Sequence, residues 1–134
     1  MSGPFKGIRV LELTSTVSGP FAGMMLADQG AEVIKVEPPG LGDLARFMGT
    51  IKDGMGAMFS TLNRNKKCIC LDFKNDEDLA VLKKLVSTTD VIIENYRPGI
   101  VKKLGIDYET LVKINPDLIY CSISGYGQSG PYQE

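Results

Sequence analysis

The sequence of 134 residues contains no histidine and no tryptophan, and it has only three cysteines. Without an imidazole base, Ser-His and Cys-His nucleophilic catalysis within this chain is excluded. The same absence, together with the lack of a Cys-x-x-Cys pair, leaves zinc with few ligands, so we expect no metal site. A catalytic role for this chain would therefore have to rest on carboxylates, and no carboxylate stands out locally.

The three cysteines are too few and too poorly spaced for a disulfide framework. Cys68 and Cys70 flank one residue of an apparent strand, which places their side chains on one face. That spacing holds them about 7 Å apart, too far for an easy disulfide. Cys121 stands alone. We predict that all three are buried free thiols, as is usual in a reducing compartment.

Charge and long apolar runs are also missing. Fifteen basic residues balance sixteen acidic ones, so the formal net charge is −1 and no nucleic acid or membrane partner is indicated. No apolar run approaches the length of a membrane span, and the amino terminus lacks the apolar stretch of a signal peptide. We expect a soluble, cytoplasmic protein.

Short apolar runs separated by helical segments define the fold class. Five such runs read as strands, at residues 8–13, 33–37, 68–71, 91–93 and 118–123. Continuous apolar strands alternating with helices predict an α/β fold, with a mostly parallel sheet and helices on both faces. The length allows at most one domain. The chain ends in a glycine-rich loop after the fifth strand, so we expect an incomplete domain.

The helix boundaries carry their own signals. Ser18 is predicted to cap the first helix, and Pro20 suits its first turn. Residues 21–27 are apolar on nearly every side, which predicts burial between layers, and Gly30 ends the helix. Asn75 and Asp107 are predicted to cap two later helices. Residues 41–65 read as a long irregular connection, which is more often functional than filler.

The first strand-helix-strand unit raises the possibility of a dinucleotide site. Glu37 ends the second strand, where an acid could hold a ribose hydroxyl. However, residues 18–23 read SGPFAG rather than G-x-G-x-x-G, and Pro20 removes an amide that a pyrophosphate would use. We therefore disfavour nicotinamide and flavin binding. An anion at the helix amino terminus is better supported.

Two polar runs remain open to two interpretations each. Residues 63–67 (NRNKK) form either a solvated turn or a grip on phosphates. Residues 95–99 (NYRPG) form either a structural turn or a ligand loop, in which Tyr96 would stack on a base and Arg97 would meet a phosphate. Lys74 and Lys103, taken alone, read as surface charges.

Taken in order, the motifs resemble class III CoA-transferases, a family that includes formyl-CoA transferase, carnitine-related CoA-transferases and α-methylacyl-CoA racemases. The resemblance covers essentially the whole chain. It rests on residues 26–38 (LADQGAEVIKVEP), Gly42-Asp43 with Arg46, and residues 63–67, 71–74 (LDFK), 90–99 (DVIIENYRPG), 104–105, 115–116 and 124–131 (SGYGQSGP).

The resemblance implies that residues 1–134 are the N-terminal part of a Rossmann-like domain that binds coenzyme A, in an enzyme that forms homodimers. The transferases move CoA between carboxylic acids through an aspartyl intermediate, and their aspartate would lie beyond Glu134, so no catalytic residue is assigned here. Matching motif to motif, the resemblance implies CoA contacts at Val17, Ser18, Leu71, Asp72, Phe73, Lys74, Asn95, Tyr96, Arg97 and Lys103.

Some positions depart from the family pattern. Some transferases carry glutamine where Val17 stands, arginine where Pro38 stands, and arginine where Lys103 stands. Lysine lacks the bidentate fork of arginine, and proline has no charge, so phosphate binding is expected to be weaker at the last two positions. The alternatives left open are a racemase fragment, a non-catalytic CoA-binding module, and a structural remnant held in a larger assembly.

Overall fold

The structure, a computed structural model, describes residues 3–133. Its centre is a five-stranded sheet in which every neighbouring pair is parallel. A separate two-stranded hairpin, β3 (Ile51–Lys52) and β4 (Met55–Gly56), lies outside it. The strands of the main sheet, in chain order, are β1 (Arg9–Leu13), β2 (Glu32–Glu37), β5 (Lys66–Cys70), β6 (Val91–Glu94) and β7 (Ile119–Ser122).

The spatial order of the sheet is β5-β2-β1-β6-β7. The chain therefore builds outward from β1 to one side, through β2 and β5, and then returns to the other side of β1 for β6 and β7. The loops that follow β1 and β6 leave in opposite directions, and a crevice opens between them at the carboxyl ends of the strands. Open α/β sheets bind their ligands at such a switch point.

Helices cover both faces of the sheet, as the sequence pattern predicts. On one face, α1 (Ser18–Asp28) packs through Ala27 against Val10 and Val33. On the other face, Leu82 of α3 (Asp76–Val86) and Leu111 of α5 (Tyr108–Leu111) pack in one cluster with strand residues such as Leu11 and Ile92. The remaining helices are α2 (Ala57–Leu62) and α4 (Ile100–Lys103). The predicted fold class is confirmed.

The predicted caps agree with the structure at two helices out of three. The Asn75 side chain accepts a hydrogen bond from Glu77 N, and that of Asp107 accepts one from Thr110 N. At α1, however, Val17 is the capping residue and makes no side-chain bond, so the prediction for Ser18 is wrong. Ser18 is instead the first residue of the helix, because the loop before it is held by other side chains.

Two burial predictions and one prediction of irregular structure are corrected. Phe21 and Met25 on α1 are 48% and 47% exposed, so this helix is not enclosed between layers. All three cysteines are exposed, because Cys68 and Cys70 lie on β5 and Cys121 on β7, the two edge strands of the sheet. Residues 41–65 are also more regular than expected, since they contain a 3-10 helix (Leu44–Phe47), the hairpin and α2. None of the described helices is long and apolar enough to cross a bilayer.

Candidate functional site

A cavity of about 950 Å³ opens at the switch point between β1 and β6. Its walls come from the start of α1, from the loop that follows β6, and from the segment that follows β7. Four of the residues implied by the family resemblance line it together: Ser18, Asn95, Tyr96 and Arg97. None of its lining residues is an aspartate or a glutamate within the described range 3–133.

The loop after β1 is held from two sides. Ser15 N donates to Asn95 Oδ1 at 3.0 Å, and Asn95 Nδ2 donates to Ser15 O at 2.9 Å. On the other side, Thr16 N donates to Asp43 Oδ1 at 2.9 Å. Thr16 has a φ of 70°, a left-handed conformation that a β-branched residue rarely adopts without such support. The loop that leads into α1 is thus fixed by side chains of two neighbouring loops.

The loop after β6 is set by a buried carboxylate. Glu94 is 1% exposed, and its Oε2 accepts from Tyr96 N at 2.8 Å. Its other oxygen is buried and has no hydrogen-bond partner among residues 3–133. Burial raises the pKa of the Tyr96 hydroxyl, and the nearby charge of Glu94 adds to the effect. Tyr96 therefore stays neutral at physiological pH, and it is one of the residues that line the cavity.

Beneath α1, buried charges form a connected network. Lys35 Nζ lies 3.0 Å from Glu12 Oε1 and 2.9 Å from Asp43 Oδ2, and it donates to Thr14 O at 2.7 Å. Lys66 Nζ lies 2.7 Å from Glu12 Oε2. These four charged side chains are at most 1% exposed. The contacts of Glu12 Oε2 and Asp43 Oδ2 are close ion pairs rather than well-aligned hydrogen bonds.

The network bears directly on the site because Asp43 belongs to it. The carboxylate that accepts from Thr16 N is held in place by Lys35, which is itself fixed by Glu12. Burial lowers the pKa of the Lys66 ammonium, while the charge of Glu12 opposes that shift. The two lysines balance the two acids, so buried charge is neutralised locally, which is what makes such burial tolerable.

A second, smaller cavity of about 450 Å³ lies where β2 and β5 end. Its wall includes Glu37, which the Arg46 guanidinium binds through two hydrogen bonds of 2.7 and 2.8 Å. Burial alone would raise the pKa of Glu37, but Arg46 and the N–H of Asp43 outweigh burial and lower the pKa to about 2. Glu37 is thus engaged inside the protein rather than free to hold a ribose hydroxyl.

The basic residues fall into two groups. Those of residues 63–67 are paired internally: Arg64 with Asp28, Lys66 with Glu12, and Lys67 with Glu32. This run is a structural element, and the phosphate interpretation is not supported. By contrast, Lys74, Arg97 and Lys103 are exposed, and no acid pairs with them within the described part of the chain.

The other residues for which the family resemblance implies a contact to CoA lie outside the main cavity. Leu71 is buried, Phe73 packs against the core, and Asp72 caps its own turn by accepting from Lys74 N at 3.0 Å. The segment 71–74 follows the end of β5, two strands away from the switch point. Val17 is 46% exposed at the start of α1. Lys103 is the last residue of α4, and neither it nor Val17 lines a described cavity.

Two sets of residues at the site are not identified by the motif reasoning. Ser124, Gly125, Tyr126 and Gly127 line the main cavity, although from the sequence they indicate only an incomplete domain and the family resemblance, and no ligand contact. Their position directly after the fifth predicted strand is the sequence feature that indicates a place at the ligand side of the sheet. The buried network was also missed, although a charged residue inside each of two apolar strands indicates it. No group of three or more metal-ligating side chains occurs within residues 3–133.

Comparison with known proteins gives a consistent result. The sequence profile of CoA-transferase family III matches residues 5–134. The chain is 47% identical over 129 residues to an acetyl-CoA:oxalate CoA-transferase from Acetobacter aceti, covering 96% of this chain and 33% of that protein. It is also 47% identical over 129 residues to a succinyl-CoA:glutarate CoA-transferase from Mus musculus, covering 96% of this chain and 30% of that one.

A solved structure supports the same relationship. The chain superimposes on a CAIB/BAIF family protein from Brucella suis with a TM-score of 0.93 and 44% identity, over all of this chain and 36% of that one. The chain thus spans about a third of the length of the curated relatives and of the solved structure that it matches.

Proposed function

The chain belongs to CoA-transferase family III, and from this premise we propose that it forms the CoA-binding part of an enzyme that transfers CoA between carboxylic acids. We assign residues 1–134 to the N-terminal part of a Rossmann-like domain that binds CoA. The observation that carries the proposal is the cavity at the switch point, where Ser18, Asn95, Tyr96 and Arg97 meet. The names of the relatives, which are CoA-transferases, favour transfer over racemisation.

The electrostatics of the main cavity suit a ligand that carries phosphates. Arg97 lines the cavity with an exposed guanidinium that no acid of the described residues neutralises. Ser18 and Gly19 open an 11-residue helix that no side chain caps, and none of the described hydrogen bonds uses their N–H groups. Free amides and the helix dipole favour an anion at that end. We propose further contacts to CoA at Val17, Leu71, Asp72, Phe73, Lys74 and Lys103.

The chemistry of transfer requires a carboxylate that attacks the thioester carbonyl and releases CoA as a thiolate. No aspartate or glutamate lines the main cavity within residues 3–133, and the buried acids beneath α1 are held by lysines. We therefore assign no catalytic residue to this chain. In the proposal it binds and orients the CoA moiety, and the nucleophile comes from a part of the enzyme outside these residues.

Calorimetric titration of the 134-residue chain with CoA tests the proposal. We expect binding by the unsubstituted chain and about tenfold weaker binding by Arg97→Ala, because a charge-assisted contact to phosphate is lost. Arg64→Ala is the matched control, since its guanidinium is already paired with Asp28. Pantetheine lacks the phosphates, so its binding should be insensitive to Arg97→Ala. Absence of CoA binding by the unsubstituted chain would overturn the proposal.

We also propose that the enzyme acts in the cytoplasm as a homodimer. Several large apolar side chains of α1 and of the 3-10 helix are exposed, among them Phe21, Met25 and Phe47. Exposed apolar groups in such number favour an assembly in which they are covered. Measurement of the particle mass by light scattering tests this part of the proposal, and a monomeric mass for the complete enzyme would contradict it.

A further inference from the structure

The side chain of Asn95 is directed at the protein backbone rather than at open solvent. Both of its polar atoms bond to a single residue: Oδ1 accepts from Ser15 N at 3.0 Å, and Nδ2 donates to Ser15 O at 2.9 Å. This pair of bonds connects the loop after β6 to the loop after β1, and the residues lie 80 positions apart in the sequence. The loop after β6 lines the cavity, and the loop after β1 leads into α1, whose first residue, Ser18, lines the cavity as well.

We propose that Asn95 is a positioning residue: its amide clamps the Ser15 peptide and so sets the spacing between the loop after β6 and the start of α1, where Ser18 lines the cavity. This inference rests on the proposed function, and it changes the role that the family resemblance implies for Asn95. The amide is used by the Ser15 backbone, so the CoA moiety would meet the loops that Asn95 holds, rather than the Asn95 amide.

Two independent features support the clamp. Glu94 fixes the other side of the same turn through Tyr96 N, which leaves Asn95 little freedom to point elsewhere. Next to Ser15, the strained Thr16 is held by Asp43, which Lys35 in turn fixes. The β1 loop is therefore held from both flanks. If the Asn95 amide bound the ligand directly, it would have to break its hydrogen bonds to Ser15 each time the ligand bound.

The matched control is Asn115. Its side chain also bonds to backbone groups, with Nδ2 donating to Val86 O and Thr89 O, while Oδ1 accepts from Asp117 N. It precedes β7, at the end of the sheet opposite to the cavity. Asn115→Ala therefore removes a comparable set of side-chain to backbone bonds and leaves the loops after β1 and β6 untouched.

Amide hydrogen exchange in the isotope-labelled chain, followed by NMR, tests the clamp. Ser15 is exposed, and its N–H is protected by the bond to Asn95. We expect Asn95→Ala to speed exchange at Ser15 at least about tenfold and to weaken CoA binding by a similar factor, with Asn115→Ala changing neither. Weaker CoA binding with unchanged Ser15 exchange would overturn the proposal and make Asn95 a direct ligand.

If Asn95→Ala does not fold, a second variant tests the clamp. Asn95→Asp keeps the acceptor for Ser15 N and loses the donor to Ser15 O, so Ser15 should stay protected. Rapid exchange at Ser15 in this variant would contradict the clamp. Exchange is the readout here, because the new charge would itself repel the phosphates of CoA. If the unsubstituted chain binds no CoA, the proposed function fails, while Ser15 exchange still supports or overturns the clamp.

Discussion

Gly23 of α1 lies against the Glu12 side chain of β1, and replacing this glycine by alanine tests the buried network. A Cβ placed on Gly23 would lie 1.9 Å from Glu12 Oε2 and 2.9 Å from Glu12 Cδ. An ordinary contact is at least 3.4 Å, so the helix or the carboxylate would have to move by roughly 1.5 Å. Glu12 Oε2 is also the atom that Lys66 Nζ approaches at 2.7 Å.

The expected change in the free energy of unfolding is opposite in sign to that of an ordinary Gly→Ala substitution in a helix. Gly→Ala inside a helix normally stabilises a protein by about 0.5–1 kcal/mol. At Gly23, overpacking costs about 1–3 kcal/mol, and loosening a buried ion pair adds to that cost. Since both Glu12 and Lys66 are fully buried, water cannot easily replace the lost contact. We expect Gly23→Ala to lower the free energy of unfolding by about 2–4 kcal/mol.

Urea unfolding at pH 7, followed by far-UV circular dichroism, measures this change. Gly125→Ala is the control, because a Cβ on Gly125 meets no atom within 4 Å and its φ is not left-handed. The control should change the free energy of unfolding by less than about 0.5 kcal/mol. If Gly23→Ala were as stable as the unsubstituted protein, or more stable, then Glu12 would not be held where the structure places it, and the reasoning would be refuted.

Two further predictions concern the charges. Lys66→Ala leaves the buried Glu12 Oε2 without its ion pair, although Lys35 still holds Oε1, and should cost at least about 2 kcal/mol. Lys67→Ala should cost at most about 1 kcal/mol, because its pair with Glu32 is exposed, and equal costs in urea unfolding would contradict the burial of the network. The lowered pKa of Glu37, about 2 instead of 4.5, contributes stability above pH 4.5 that is lost as the pH falls towards 2. Arg46→Ala should therefore cost about 2 kcal/mol near pH 6 and progressively less below pH 4, and a pH-independent cost would exclude the pairing.

Much of the fold is accessible from the sequence because its signals are local. The apolar strands and the caps at Asn75 and Asp107 depend on residues within a few positions of each other. The prediction at Ser18 is wrong for a non-local reason: Asn95 and Asp43, far away in the chain, hold the preceding loop. The cysteine prediction is wrong because the sequence does not say which strands lie at the edges of the sheet.

At the candidate site, too, features set by neighbouring residues were predictable and features set by distant contacts were not. The loop at residues 95–97 was predictable, since a polar turn at the carboxyl end of a strand is a common place for a ligand. What Asn95 bonds to was not predictable, because its partner lies 80 positions away. The two interpretations of residues 63–67 could not be separated either, since the choice depended on acids at positions 12, 28 and 32, which only the folded chain brings close.

The pairing of Glu12 with Lys35 also constrains how β1 and β2 can align. The two residues are direct neighbours in the parallel register, and both face α1. If β2 slipped by one residue, Lys35 would turn to the opposite, apolar face, Asp43 would lose its lysine, and Glu12 would keep only Lys66. Such a slip would cost several kcal/mol at each stranded charge. The ion pair thus helps to fix the register of β1 and β2, because it destabilises shifted registers that a purely apolar strand pair would tolerate.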